Sequence, residues 1–331
     1  MIRKLICRSI VLVFTFVATF GLAIENSIIP SLEHFERLEN LSEHKYSRSQ
    51  YEEIQCVLAH KEERIRLVTY NMLFDLYDNG MEKVNRWPQR LPRIVEVIEE
   101  MNPDILCIQE LYVNQLKEFM PYMESNFSWY AKPCEDGELN GIFYRKDRFE
   151  VIDSKVWYMT DTPQLPSSET LTQLQLKDLK TGKSVAVFNT HLAFSKIEKR
   201  DFQARFIAKH LKPIAEKMPV ILAGDLNIFP HRLEIGNLPF YDGDYIHRIL
   251  TQDTLKDAKE VSVLGHLGPI STFTNQEGYG IPFKGTGTPG VFLDHIYVSK
   301  DVNVLIHAVQ PATVQGSFPS DHMPVLVDFI P

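Results

Sequence analysis

Pro219–Pro230 reads PVILAGDLNIFP, and this stretch does most to restrict the kind of fold the chain can adopt. Val220, Ile221, Leu222 and Ala223 are apolar without alternation, the pattern of a strand covered on both faces. Such a strand belongs inside a layered structure. Gly224 lets the backbone turn closely, and Asp225 and Asn227 follow. Residues two apart in extended backbone project to the same side, so a carboxylate and a carboxamide are expected side by side at the strand's end. That oxygen-rich pair suits a hard cation and a phosphate better than a thiol-seeking metal. Asp and Asn are also ordinary turn residues, so this stretch alone fits a plain strand-to-loop turn equally well.

The start of the chain has a different character. Met1-Ile2-Arg3-Lys4 is basic, Ile10–Phe20 is almost wholly apolar, and Gly21-Leu22-Ala23 offers small residues, the layout of a secretory signal peptide. The alternative is a membrane anchor, but the apolar run is shorter than the ~20 residues a span needs. The expected division is a signal peptide over 1–23, a helical N-terminal extension over 24–64, and one domain over 65–331. Export to the periplasm or beyond follows from it. Loss of Arg3, Lys4 and Arg8 would take three positive charges from a formal net of −8, leaving −11. An acidic surface repels long nucleic acid unless a local basic groove compensates. Three cysteines remain after residue 23, Cys56, Cys107 and Cys134, too few and too odd in number for a disulfide framework. A Cys56–Cys134 bridge is open, and Cys107, within an apolar run, reads as a buried thiol.

Other strands repeat the theme of a polar residue at the tip. Ile65–Asn71 alternates and ends on Asn71, which either caps its turn or serves a carboxylate or metal. Asp104–Glu110 is apolar up to Gln109 and ends on an acid. A Glu in mid-strand would be costly, whereas at the carboxyl end it opens into a crevice. Helices are expected over Gln89–Met101, Val113–Glu124 and Ile197–Lys217. Short strands are expected over 129–132, 141–145 and 149–159, and a hairpin joins Leu171–Leu179 to Ser184–Leu192, whose end carries His191. Val291–Ser299 holds Asp294 and His295 in an apolar frame, Val302–Val309 is a further strand, and Ser320-Asp321-His322 leads into Met323–Phe329. The glycine-rich run 278–290 reads as loop. With 72–88, 135–140 and 161–168 it would form the rim. Lys196, Lys199 and Arg200 lie near His191 and read as a solvated helix start.

Asn71, Glu110, His191, Asp225, Asn227, Asp294, Asp321 and His322 are all oxygen or imidazole donors at strand tips. Strands alternating with helices imply a layered α/β fold that can gather such tips on one edge. The set then reads as a divalent metal site, Mg²⁺ or Mn²⁺, beside a His that moves protons. With no serine elbow, HExxH or thiol cluster, acyl transfer and zinc-protease chemistry lack support.

LVTYNMLFD, DILCIQEL, VFNTHL, ILAGDLN, LDHIYVS and FPSDHMPV resemble, in order, the motifs of the endonuclease/exonuclease/phosphatase (DNase I-like) superfamily over about residues 65–330. The Trp87…Arg90 spacing is similar to bacterial and deadenylase-like members. The resemblance implies a four-layer α+β sandwich of two packed mixed sheets flanked by helices. It implies that Glu110 and Asp321 bind metal with Asn71 beside them, and that His191 contacts the scissile phosphate. Asp225 would orient or deprotonate water, Asn227 hold a phosphate oxygen, and His322, fixed by Asp294, act in proton transfer or phosphate stabilisation. His295 departs from the Tyr of many members and is expected on the other side of its strand, without a role. The implied substrate is a phosphoester, whether nucleic acid, phospholipid or small phosphate ester, with no dedicated protein partner and a monomeric enzyme. The leading expectation is a nuclease-like phosphodiesterase. A secreted sphingomyelinase-type enzyme, an inositol phosphate phosphatase, and a catalytically silent binding protein on the same scaffold stand as alternatives. An apolar rim at Tyr279, Ile281 and Phe283 would suit the lipid substrate.

Overall fold

The computed structural model describes residues 48–160, 169–194, 197–228, 243–274, 291–311, 313–314 and 318–331. Its strands form two sheets. The first runs β10 (His266–Leu267), β12 (Asn303–Val309), β13 (Val325–Ile330), β1 (Ile65–Asn71), β2 (Ile105–Tyr112), β4 (Glu138–Arg145), β3 (Phe127–Tyr130). The second runs β5 (Phe149–Tyr158), β6 (Thr170–Asp178), β7 (Ser184–His191), β8 (Val220–Asp225), β11 (Asp294–Ser299), β9 (Leu255–Asp257). Both are mixed: β1–β2 and β7–β8 pair in parallel, while β1–β13 and β8–β11 are antiparallel.

Strand alternation explains the layers. In β1, Ile65 and Leu67, with Ile105 beside them on β2, face the second sheet and meet Leu174, Val187, Ile221 and Ile296 in one apolar cluster. Val68 and Tyr70 point the other way and are covered by α1 (Arg48–Ala59), α2 (Trp87–Met101) and α3 (Val113–Met123). In β8, Ile221 and Ala223 face inward. Val220 and Leu222 are covered by α4 (Ile197–Ala215) and α5 (Gly243–Thr251). The result is the expected four-layer order of helices, sheet, sheet, helices. A short α6 (Ala258–Val261) follows β9.

Boundaries differ from expectation where local signals compete. α2 begins at Trp87 with Pro88 in its first turn, where a missing N–H costs nothing. β4 begins at Glu138, so residues 138–140 of the expected rim loop are strand. β11 begins at Asp294, since Val291–Leu293 are buried outside the ladder. Cys56, Cys107 and Cys134 are all free, so no Cys56–Cys134 bridge forms. Among the described residues no helix is long and apolar enough to cross a membrane. The signal segment, most of the N-terminal extension, the 161–168 loop and the glycine-rich run lie outside the described residues.

Candidate active site

Strand parity carries polar side chains into the space between the sheets at one edge. Asn71 continues the inward series Ile65, Leu67 and Thr69, while His191 continues Val185, Val187 and Asn189. β8 and β11 pair Asp225 with Asp294 directly, both facing inward after Ala223 and before Ile296. Parity also puts His295 on the outer face, as expected, where its ring stacks on Tyr297 at 5.8 Å and its Nε2 meets Phe292 O at 3.1 Å. Gly224 approaches Thr190 so closely that a Cβ there would lie 1.9 Å from the Thr190 carbonyl oxygen. Only glycine brings Asp225 and His191 side by side.

Glu110 enters by a different route. It is not at a strand tip: β2 continues to Tyr112, and parity with Leu106 and Ile108 would point Glu110 outward. A bulge between Ile108 and Leu111, with Glu110 in the left-handed region at φ 55°, breaks the register. Its carboxylate is thereby turned to Asn71, whose Nδ2 donates to Glu110 Oε1 at 2.9 Å and to Asp225 Oδ2 at 3.0 Å. The Asn71 oxygen accepts the Leu73 N–H at 3.0 Å, so the carboxamide serves here as an orienter of two acids. Asn227 also departs from expectation. β8 ends at Asp225 and Asn227 is left-handed at φ 49°, so the two do not share extended backbone. A tight turn with Asn227 N on Asp225 Oδ1 (2.9 Å) achieves the juxtaposition instead.

Two imidazoles flank one carboxylate oxygen. Asp225 Oδ2 lies 3.6 Å from His191 Nε2 and 3.7 Å from His322 Nε2. Each ring is held from behind: His322 Nδ1 by Asp294 Oδ2 at 2.7 Å, as expected, and His191 Nδ1 by Glu138 Oε1 at 2.9 Å. A carboxylate on Nδ1 fixes the proton there and aims Nε2 into the site. Asn227 Nδ2 lies 3.0 Å from His191 Nε2 and donates to Leu192 O.

The acids dominate the electrostatics. Burial pulls the His322 imidazole down, but Asp294, Asp225 and Asp321 outweigh it and push it up to about 10. His191 is likewise driven well above its ordinary value, with Glu138 and Asp225 overcoming burial. Burial, opposed by His191 but aided by Asp321 and Glu138, raises the Glu110 carboxyl to about 7. Burial also raises Asp294 despite His322. The surrounding acids therefore favour the protonated form of both imidazoles while crowding one another.

That crowding is the test of fit for a metal. Glu110, His191 and Asp225 offer ligand atoms within 4.8 Å of one another, as do Asp225, Asp294 and His322. Like charges pressed against Glu110 and an all-oxygen-and-imidazole donor set suit a hard divalent cation. Asp321 joins neither group by that distance; it is half-buried beside His322 and acts on Glu110 through charge.

Sequence reading missed several supporting residues. Glu138 stands on a strand far along the chain from His191, with no local signal. Ser320 Oγ donates to Asn71 O and accepts His322 N, and Thr272 Oγ1 accepts the amides of Leu293 and Asp294. Phe273 sets its ring edge-on to His322 at 5.2 Å. Arg200, expected in solvent, is fully buried and donates to the Ala193 and Phe194 carbonyls, while Lys199 pairs with Glu169. Lys196 lies outside the described residues.

The Endonuclease/Exonuclease/phosphatase family profile matches residues 68–322. Human Nocturnin is 24% identical over 297 residues, covering 80% of this chain. The chain spans 65% of that protein and 44% of the rat one, less than two thirds of either. Among solved structures, an endonuclease/exonuclease/phosphatase from Bacteroides vulgatus superposes with a TM-score of 0.67 at 24% identity, covering 80% of this chain and 98% of its own. The mannosyl-6-phosphatase of Bacteroides thetaiotaomicron gives 0.66 at 22%, covering 80% and 99%. These likenesses establish the shared fold. The profile spans every residue of the clustered edge from Asn71 to His322, and on that match this chain belongs to the Endonuclease/Exonuclease/phosphatase family.

Proposed function

We propose that the chain is a Mg²⁺- or Mn²⁺-dependent hydrolase of phosphate esters, first of all a nuclease-like phosphodiesterase. The observation that carries this reading is the single oxygen, Asp225 Oδ2, between two imidazole Nε2 atoms at 3.6 and 3.7 Å, each ring backed by its own carboxylate.

Glu110 would hold the cation, with Asn71 beside it and Asp321 adding its charge from outside the donor cluster. When bound, it supplies Lewis-acid polarisation of a phosphoryl oxygen and a water of lowered pKa. Asp225, oriented by Asn71 and by the Asn227 amide, takes the proton from the attacking water. His191, held by Glu138, and Asn227 bind phosphoryl oxygens. As water forms its bond to phosphorus and the ester P–O bond breaks, His322 gives its Nε2 proton to the departing oxygen. Asp294 keeps the ring oriented throughout.

Purified protein should be offered single-stranded DNA, RNA, sphingomyelin, inositol phosphates and nucleotide phosphates, with and without EDTA. Turnover lost on chelation and restored by Mg²⁺ is expected, greatest on a diester. Preference for sphingomyelin or an inositol phosphate would replace the nuclease reading, and chelation-indifferent turnover would reject the metal. Failure on every substrate would favour a silent binding protein. The basic, apolar and small-residue order of 1–23 supports export as part of the same reading; cell fractionation tests it.

A further inference from the structure

Arg90 on α2 is fully buried, and among the described residues no carboxylate lies within ion-pair distance of it. Burying a guanidinium is costly unless its donors are used. Here both Nη atoms go to main-chain carbonyls, Nη1 donating to Met72 O at 2.6 Å and Pro319 O at 3.2 Å and Nη2 to Leu73 O at 2.7 Å, while Nε has no partner among the described residues. The Trp87 ring packs against the guanidinium at 5.5 Å, which accounts for the Trp87…Arg90 spacing. The carbonyls belong to two separate turns. Met72 and Leu73 directly follow Asn71, and Pro319 directly precedes Ser320-Asp321-His322.

Both turns control the site. Leu73 is left-handed at φ 56°, an unfavourable conformation for a branched residue. In that conformation its N–H reaches Asn71 Oδ1 and so aims Asn71 Nδ2 at Glu110 and Asp225. Across the gap, Ser320 Oγ bridges Asn71 O (2.7 Å) and His322 N (3.2 Å). We propose that Arg90 is a positioning residue of the hydrolytic site, its fork locking the Leu73 turn to the Ser320–His322 turn so that Asn71 and His322 meet Asp225 together. The proposal rests on the phosphoesterase reading for its kinetics but not for its geometry. A lysine keeps the charge and lacks the planar fork that serves two turns at once.

The test compares wild type with Arg90→Lys and Ser320→Ala, by steady-state kinetics and by the low-field imidazole N–H resonance of His322, assigned with His322→Ala. Misplacement of a catalytic group by an ångström costs up to about 10²-fold. Arg90→Lys is therefore expected to lose about 10- to 100-fold in kcat with KM within about threefold, and to shift or broaden the resonance while still melting cooperatively. A residue that only stabilises the fold would lower the melting temperature and leave both readouts unchanged, and that result would overturn the proposal. If Arg90→Lys does not fold, Ser320→Ala carries the same expectation, and wild-type kcat with an unmoved resonance there overturns it. If the wild type hydrolyses no phosphoester, the phosphoesterase reading fails, and the resonance, which needs no substrate, still decides the role of Arg90.

Discussion

Glu138 Oε1 lies 2.9 Å from Nδ1 of His191 and also accepts the Glu110 amide at 3.2 Å. One carboxylate thus supports both the His191 imidazole and the bulge that carries Glu110. Glu138→Gln keeps the shape and removes the charge. It should cost roughly 10²-fold in kcat, the low end for a positioned acid or base. Added to His191→Ala it should cost little more, since groups acting as a unit are non-additive. Losses that multiply in the double variant would show that Glu138 acts elsewhere.

The Asp294–His322 pair invites the same cycle. His322→Ala should lower turnover by about 10²–10⁴-fold. Asp294→Asn should lower it by removing the anion 2.7 Å from Nδ1, and the double variant should be little worse than His322→Ala. Independent losses, in proteins that thermal melts show to be folded, would reject the pair.

Two buried imidazoles should cost stability in acid. Burial and the nearby Lys259 hold the His295 imidazole down to about 3, and burial with His266 holds His307 well below its ordinary value. Both are neutral in the fold but take up protons near pH 6.5 when unfolded. Below that pH the unfolded chain binds more protons, so each contributes a loss of up to about 1.4 kcal/mol per pH unit. Glu110, raised to about 7, takes up its proton first in the fold and opposes this loss, so the readout is the difference between proteins: between pH 7.5 and 5.0 the melting temperature of His295→Phe should fall less, or rise more, than that of the wild type. Parallel profiles would contradict the neutral, buried assignment of His295.

Glu110→Gln removes the acid that Asn71 and the Phe74 amide orient. The Mg²⁺ concentration giving half-maximal activity should rise at least about tenfold, the scale set by loss of a group supporting a metal site. An unchanged metal titration would move the ion away from Glu110.

Gly224→Ala would set a Cβ 1.9 Å from Thr190 O at a backbone φ of +149°. The parallel β7–β8 pair must then part, at a cost of roughly 3 kcal/mol, the upper range of ordinary substitutions. Urea unfolding should show this, with turnover falling because His191 and Asp225 are neighbours in that pair. Wild-type stability would mean that β7 can yield there.

The layers were legible because unbroken apolar runs such as Val220–Ala223 mark strands covered on both faces. The site was legible where alternation alone governs direction, as at Asn71, His191, Asp225 and Asp294. The route into the site was not legible where backbone leaves that rule. Glu110 comes inward through a bulge, and Asn227 through a left-handed turn. The motifs name both residues, but nothing in them signals the bulge or the turn. Glu138 and Arg90 were hidden for another reason. Their partners, His191 at a separation of 53 residues and Pro319 at 229, become neighbours only when the sheets close.

The extra residue in β2 has a consequence for anyone redesigning this protein. Idealising the strand, by deleting one residue between Ile108 and Leu111 or by favouring extended backbone at 110, would improve the ladder with β4. It would also rotate the acid out to the helical side and leave the cleft without it. A stability-driven optimiser would therefore score the loss of activity as a gain, and the irregularity at Glu110 must be held fixed by hand.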